Sequence, residues 1–330
     1  LGLLLADSFK SDELARTLGM QIAMKSDGNP FFAFEIIRGL REGQFITQRD
    51  DGAWVTTQII DEIEIPSSVL DLVNARVADL TEEERTILDV ACCWGFEFDP
   101  LVVGEAVGMA RIPLLRALGQ IERRYRLVRA SGRRYVFDHH QVQEALYGSL
   151  SELLREEYHA ALAEALEVRS KAGHQDPEDL DGALCVDLCE HYLRGARGDD
   201  ALRYLEAACE HLTKGYLHAH VAALTERALA APHLLTGAER VKPLLQLCSA
   251  LVNVVGHHAR HEEAARESER LAEEAGDDEL RGRAASALGG FFTLVERQDE
   301  AEAAFLRALE LSRAQGDRET EADAVNSLGI

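Results

Sequence analysis

From residue 151 onward apolar side chains recur every three or four positions, broken by short polar turns, so the sequence predicts helix after helix with no strand signal. Ala250-Leu251 maps onto Ala287-Leu288, and Glu262-Glu263-Ala264 onto Asp299-Glu300-Ala301, both at a shift of 37. Gly276-Asp277 maps onto Gly316-Asp317, and Leu288-Gly289 onto Leu328-Gly329, at a shift of 40. Unequal shifts mean that one helix of the repeat varies in length. Small residues at the crossing points let paired helices approach, and Gly-Asp breaks them into hairpins that bury each open face on the next. Residues 151–330 therefore read as an α-solenoid of helical hairpins, with Gly198-Asp199-Asp200-Ala201 fitting the scheme more loosely.

The first 150 residues are more varied. Helices are expected over 12–27, from Phe31 to Arg41, and from Pro66 to about Leu80. Between them, in residues 44 to 65, Phe45-Ile46-Thr47, Asp50-Asp51-Gly52 and Trp54-Val55-Thr56 predict a small hairpin, with 46–65 as a hairpin linker. Thr81-Glu82-Glu83-Glu84 is a capping-box pattern that starts a helix through Cys93. Asp99-Pro100 and Ile112-Pro113 open two more, to Val107 and about Arg124. Strands Arg126 to Ala130 and Arg134 to Phe137 follow, joined at Ser131-Gly132, and a helix runs from His139 to Leu150. Three helices and a hairpin make a winged helix over 66–150. The fold class is thus mainly α, with a helical segment over 1–45, a hairpin linker, a winged helix and a solenoid.

Composition narrows the function. Hydrophobic residues make up 46% of 330, aromatics only 6%, and the excess of Ala, Leu, Glu and Arg disfavours an all-β fold. A formal charge of −23 repels phosphate backbones over roughly 8 Å at physiological salt, which argues against nucleic-acid binding by the chain as a whole. Six cysteines lie in helical segments rather than a spaced loop framework, which suits buried thiols in a reducing, cytoplasmic setting. No apolar run approaches the ~20 residues that span a bilayer. The start at Leu1 and the stop at Ile330 inside a helical pattern suggest an excerpt of a longer protein.

Gly28-Asn29-Pro30-Phe31-Phe32, Ile65-Pro66-Ser67-Ser68, Ala78-Asp79-Leu80 and the run from Phe137 to Tyr147 carry a family resemblance. Together, from Ser11 to Tyr147, they resemble the C-terminal part of the ATPase module in STAND-class signal-transduction proteins, a group that includes bacterial regulators. That family orders its parts as P-loop domain, helical lid, winged helix and repeats. The resemblance implies that residues 1–45 are a lid remnant, that Pro30 is the lid proline near the adenine, and that His139 senses the diphosphate. Residues 183–330 look like tetratricopeptide repeats (TPR), although the usual 34-residue period is not kept. The role implied by the resemblance is that of a regulatory and interaction region. Its lid and winged helix gate a nucleotide held by a P-loop domain that is missing here, and its array receives a protein partner or small-molecule inducer.

Chemistry of its own is not expected. No Gly-Lys pair occurs anywhere, so the phosphate-cradling loop and its lysine are absent, and ATP or ADP with Mg is expected only in a longer parent. The chain is read as no enzyme, with no cofactor and no metal. Ile59-Ile60-Asp61-Glu62 imitates a Walker B strand but lies after the lid segment. His257, His258 and His261 read better as a solvated turn than as ligands, and Cys185 and Cys189 near His191 as core. Between Arg111 and Arg134 lie eight arginines against one acid, Glu122. Of these Arg123, Arg124, Arg126, Arg133 and Arg134 are candidates for phosphate or acidic-partner contacts, with the chain's own upstream ATPase domain one such partner. Two alternatives stay open: a DNA-binding transcriptional regulator using this winged helix, and a purely structural TPR scaffold.

Overall fold

The computed structural model describes residues 18, 19, 22, 30–42, 46–48, 54–56, 77–254 and 256–329. Most of the helix expected over 12–27, the Gly28-Asn29 turn, Ile59-Ile60-Asp61-Glu62 and the stretch opened by Pro66 lie outside the described residues. The fold is mainly α. Two compact units divide the chain, 1–151 and 152–330.

In the first unit, helix α1 (Pro30–Glu42) buries Ala33, Ile36, Ile37 and Leu40, one stripe at three- and four-residue spacing. Strands β1 (Ile46–Gln48) and β2 (Trp54–Thr56) pair antiparallel with Ile46 opposite Thr56. The Arg41 guanidinium lies 4.2 Å from the Trp54 ring centre and ties the hairpin to α1.

Helix α2 (Glu82–Trp94) starts at a complete capping box. The Thr81 hydroxyl accepts the Glu84 N–H, and the Glu84 carboxylate accepts the Thr81 N–H at 3.0 Å. Strand β3 (Glu97–Phe98) leads to α3 (Pro100–Ala106), capped by Asp99 with proline at its first position, and then to α4 (Arg111–Arg124). Strands β4 (Val128–Ser131) and β5 (Arg134–Phe137) form a hairpin, and α5 (His140–Ser149) closes the domain. The sheet order is β3-β5-β4, all antiparallel. The edge strand β3 is absent from the sequence reading because two residues are too few to show alternation. Ile87, Phe98, Val103, Leu114, Leu118, Ile121, Phe137 and Leu146 fill the core. Arg126, expected to begin a strand, instead takes a left-handed conformation (φ 50) that closes α4 by donating its N–H to the Ile121 carbonyl.

The second unit has nine α-helices among the described residues, with three short 3-10 turns between them: α6 (Glu152–Ser170), α7 (Gly182–Arg194), α8 (Gly198–Lys214), α9 (His218–Ala230), α10 (Val241–Leu251), α11 (His258–Ala275), α12 (Asp278–Leu294), α13 (Gln298–Gln315) and α14 (Arg318–Leu328). Each helix packs on its sequence neighbours, and α10 also packs on α12, and α12 on α14, so alternate helices line one face. In α8 the buried set Ala201, Tyr204, Leu205, Ala208, Cys209 and Leu212 follows the helical repeat, which is why this segment folds as it does. One continuous apolar core runs from Ala163 to Phe305.

Gly-Asp acts as punctuation by two separable means. Gly276 and Gly316 adopt left-handed φ (67 and 76), a region open to glycine without steric cost, and Asp277 and Asp317 cap the following helix by accepting backbone N–H groups. Gly198-Asp199 differs. Ala196 takes the left-handed role there (φ 53), and Gly198 begins α8, where a side chain would press on Leu234.

Ion pairs lace successive hairpins. Arg197 meets Glu164 at 2.7 Å, Arg260 meets Glu226 at 3.0 Å, Arg283 meets Asp317 at 3.2 Å and Arg307 meets Glu269 at 2.8 Å. The partners stand 33, 34, 34 and 38 residues apart, one structural repeat in each case. These pairs are exposed to half-buried and still reached by solvent, so each contributes on the order of 1 kcal/mol and their value lies in setting register. No helix among the described residues is long and apolar enough to cross a membrane.

Candidate functional site

The open face formed by α10, α12 and α14 holds a cavity of about 420 Å3. Leu245 and Cys248 of α10, Val252 just past its end and Ala287 of α12 give it an apolar floor. Ser249, Ser286 and Thr320 add hydroxyls, and Gly290 leaves open space where another residue would carry a side chain. The cations at its margin are already engaged. Lys242 holds Glu206 at 2.8 Å, and Arg283 holds Glu279 at 3.0 Å and Asp317 at 3.2 Å. Glu319 and Asp323, four residues apart on α14 and both exposed, make no ion pair within 4 Å among the described residues, although Arg283 feels the Glu319 charge.

His261 of α11 completes the wall. It is 1% exposed, its ring meets the edge of Phe291 with centres 5.3 Å apart, and its Nδ1 has no hydrogen-bond partner among the described residues. Burial, and secondarily the nearby His258, hold its pKa below the ordinary value, so the ring is neutral. Leaving such a group unpaired costs about 1–3 kcal/mol, and a ligand that pairs it recovers that cost. The solvated turn expected for the three histidines is corrected here. His257 and His258 are exposed while His261 is buried with Ala264, Ala265, Ser268, Leu271 and Ala272 on the inner stripe of α11. Cys185, Cys189 and His191 are core residues of α7.

The sites read from sequence lie in the first unit. Pro30 is the first residue of α1, and its side chain is outside the described residues. His139 caps α5, its Nδ1 accepting the Gln141 N–H at 3.3 Å. With Nδ1 an acceptor, a neutral ring carries its hydrogen on Nε2, the tautomer able to donate to an anion.

All eight arginines between 111 and 134 are exposed. Arg111, Arg116, Arg123 and Arg124 belong to α4, with Arg116 and Arg123 seven apart on one face; Arg126, Arg129, Arg133 and Arg134 belong to the hairpin segment. Arg134 lies 3.7 Å from Glu97, and the other seven have no carboxylate within 4 Å among the described residues. Glu122, the acid between them, is spent on the hairpin backbone, where it accepts the Ala130 N–H at 3.0 Å.

No protein-family model matches this chain, and no curated protein does. One similar solved structure is that of the signal transduction ATPase with numerous domains (STAND) protein with a tetratricopeptide repeat sensor from Pyrococcus horikoshii, 14% identical, with a TM-score of 0.31. The match covers 99% of this chain and 55% of that one, so the chain spans about half the length of that protein. A superposition this loose transfers no residue's role.

Proposed function

We propose that this chain is the regulatory and interaction region of a STAND-type signalling switch, with the helical array as its receiving part. Residues 1–45 then act as a helical lid and 66–150 as a winged helix that gate a nucleotide. The P-loop domain holding that nucleotide is not in this sequence, and residues 151–330 form a TPR-like array for a protein or small-molecule inducer. The observation that carries the reading is the open, ligand-sized cavity between alternate helices of the array, in a chain whose sequence contains no Gly-Lys phosphate loop. The chain's own contribution to the nucleotide would be the Pro30 turn and the His139 imidazole, which stands at the start of α5 with its Nδ1 on the Gln141 N–H. It is not an enzyme on this reading, and it works in the cytoplasm. Titration calorimetry of residues 1–330 with ATP or ADP is expected to show no tight binding, and submicromolar affinity overturns the division of labour. In a longer polypeptide carrying a P-loop domain ahead of this chain, His139→Ala is expected to speed ADP exchange.

One observation favours a second reading. Seven exposed arginines with no carboxylate within 4 Å among the described residues, on a helix and a hairpin segment of one unit, make a surface able to neutralise the phosphates of duplex DNA. A gel shift that weakens with salt and disappears in Arg123→Glu plus Arg126→Glu supports this reading, and no shift at low salt removes it.

A further inference from the structure

The wall of the cavity between α10, α12 and α14 is unbalanced. Its two cations are held by carboxylates at the margin, its two carboxylates are unpaired among the described residues, and its buried imidazole has an idle nitrogen. An anionic ligand would meet Glu319 and Asp323, while Arg283, the wall cation within charge range of Glu319, is already shared with Glu279 and Asp317. A neutral apolar ligand would cover His261 and leave its Nδ1 unpaired. A cation suits every part. Its N–H groups donate to the carboxylates and, in the tautomer of His261 with its hydrogen on Nε2, to the ring at Nδ1, and its stem lies on Leu245, Cys248, Val252 and Ala287.

We infer that this cavity binds a small organic cation, an ammonium or guanidinium on a short apolar stem, between the Glu319–Asp323 pair and His261. The inference rests on the reading of the array as the receiving part and names the chemistry of what it receives. The volume of about 420 Å3 falls within the range of small-molecule sites, roughly 300–1,000 Å3, and a folded partner would need a surface rather than a cavity of this size. The wider field agrees in sign. Residues 152–330 carry thirty-five acidic side chains against nineteen lysines and arginines, which raises the local concentration of cations.

Calorimetric titration of the full chain with phenethylammonium and with 1,5-diaminopentane tests the inference, with hexanoate as the anionic counterpart and a lysine-rich hexapeptide as the peptide counterpart. At least one amine is expected to bind and hexanoate is not. The double variant Glu319→Gln, Asp323→Asn, which alters only exposed positions, is expected to weaken amine binding about tenfold or more. His261→Leu, which keeps an apolar wall, is expected to weaken it severalfold. Circular dichroism of both variants checks that the array is folded. The inference is overturned if neither amine binds the wild-type chain, if hexanoate binds as well as the amines, if the hexapeptide alone binds, or if the folded double variant binds like wild type. These outcomes leave the switch reading standing, whereas tight ATP binding by the chain sinks that reading and does not touch the amine result.

Discussion

His159 of α6 and His191 of α7 face each other with their Nδ1 atoms 2.9 Å apart, and the pair is buried (1% and 7% exposed). That contact needs one hydrogen between two nitrogens, so one ring donates and the other accepts, which two protonated rings cannot do. Burial is the main reason that His159 is held down to about 3, with the neighbouring His191 and then Arg194, Arg227 and Arg155 acting in the same direction. Burial also lowers His191 to about 4, with Glu190 opposing and Arg194 assisting. An unfolded histidine titrates near 6.5. Because both native values are depressed, the unfolded chain binds more protons below that pH. The stability held by the pair is therefore complete above about 6.5 and falls as pH drops toward the native values. At about pH 5 each ring costs roughly 2 kcal/mol, so the two together cost about 4 kcal/mol. Hydrogen exchange of the α6 and α7 amides at about pH 7.5 and about pH 5, normalised for intrinsic rate, reads the local opening energy. Replacing both rings at once, His159→Leu with His191→Leu, removes the titration without leaving a lone polar atom. The wild-type chain is expected to lose about 4 kcal/mol more than this variant over that interval. Parallel losses in the two proteins refute the reasoning.

Two further outcomes rest on packing. A side chain at Gly195 would come within 2.6 Å of the Ala160 backbone nitrogen and 2.8 Å of its Cα, and backbone cannot swing aside. Gly195→Ala is therefore expected to cost about 1–3 kcal/mol, read as a lower urea midpoint, and an unchanged midpoint contradicts the close approach of α6 to the end of α7. All six cysteines are free and buried, with burial pushing Cys209 up to about 11 and Cys248 up to about 12. A thiol-reactive chromophore at about pH 8 is expected to label the native chain slowly and all six only in denaturant, because Cys248, although part of the cavity wall, stays protonated. Rapid labelling of the native chain excludes that environment.

The array was legible in the sequence because its rules are local. Helical spacing of Ala and Leu marks the buried stripe of α8, and glycine followed by a capping aspartate marks the turns at 276 and 316. The Thr81 capping box was legible for the same reason. What escaped is what only tertiary packing decides. Ala196, Tyr216 and Glu296 take left-handed conformations (φ 53, 57 and 61) that disfavour L-residues by about 1–2 kcal/mol, a cost that local propensity argues against and the packed hairpins override. The cavity joins residues from helices some forty positions apart, a distance at which no motif is visible.

His261 was the one recoverable part. Read as polar, it belongs to a solvated turn, yet it stands at helical spacing with Ala264, Ala265, Ser268, Leu271 and Ala272, all of which face inward. His159 obeys the same rule with Leu162 and Ala163. Position on a stripe thus predicts burial for both imidazoles better than their chemistry does. Burial alone, however, gives a histidine no role. His159 meets a second ring across the helix interface and is thereby satisfied within the fold, whereas the Nδ1 of His261 meets none and its ring borders open space. A buried polar atom that the fold does not pair is a cost that an ordered water or a ligand relieves. That asymmetry between two histidines on equivalent stripes is the reason to look for a ligand at α10, α12 and α14 and a pH-sensitive clasp at α6 and α7.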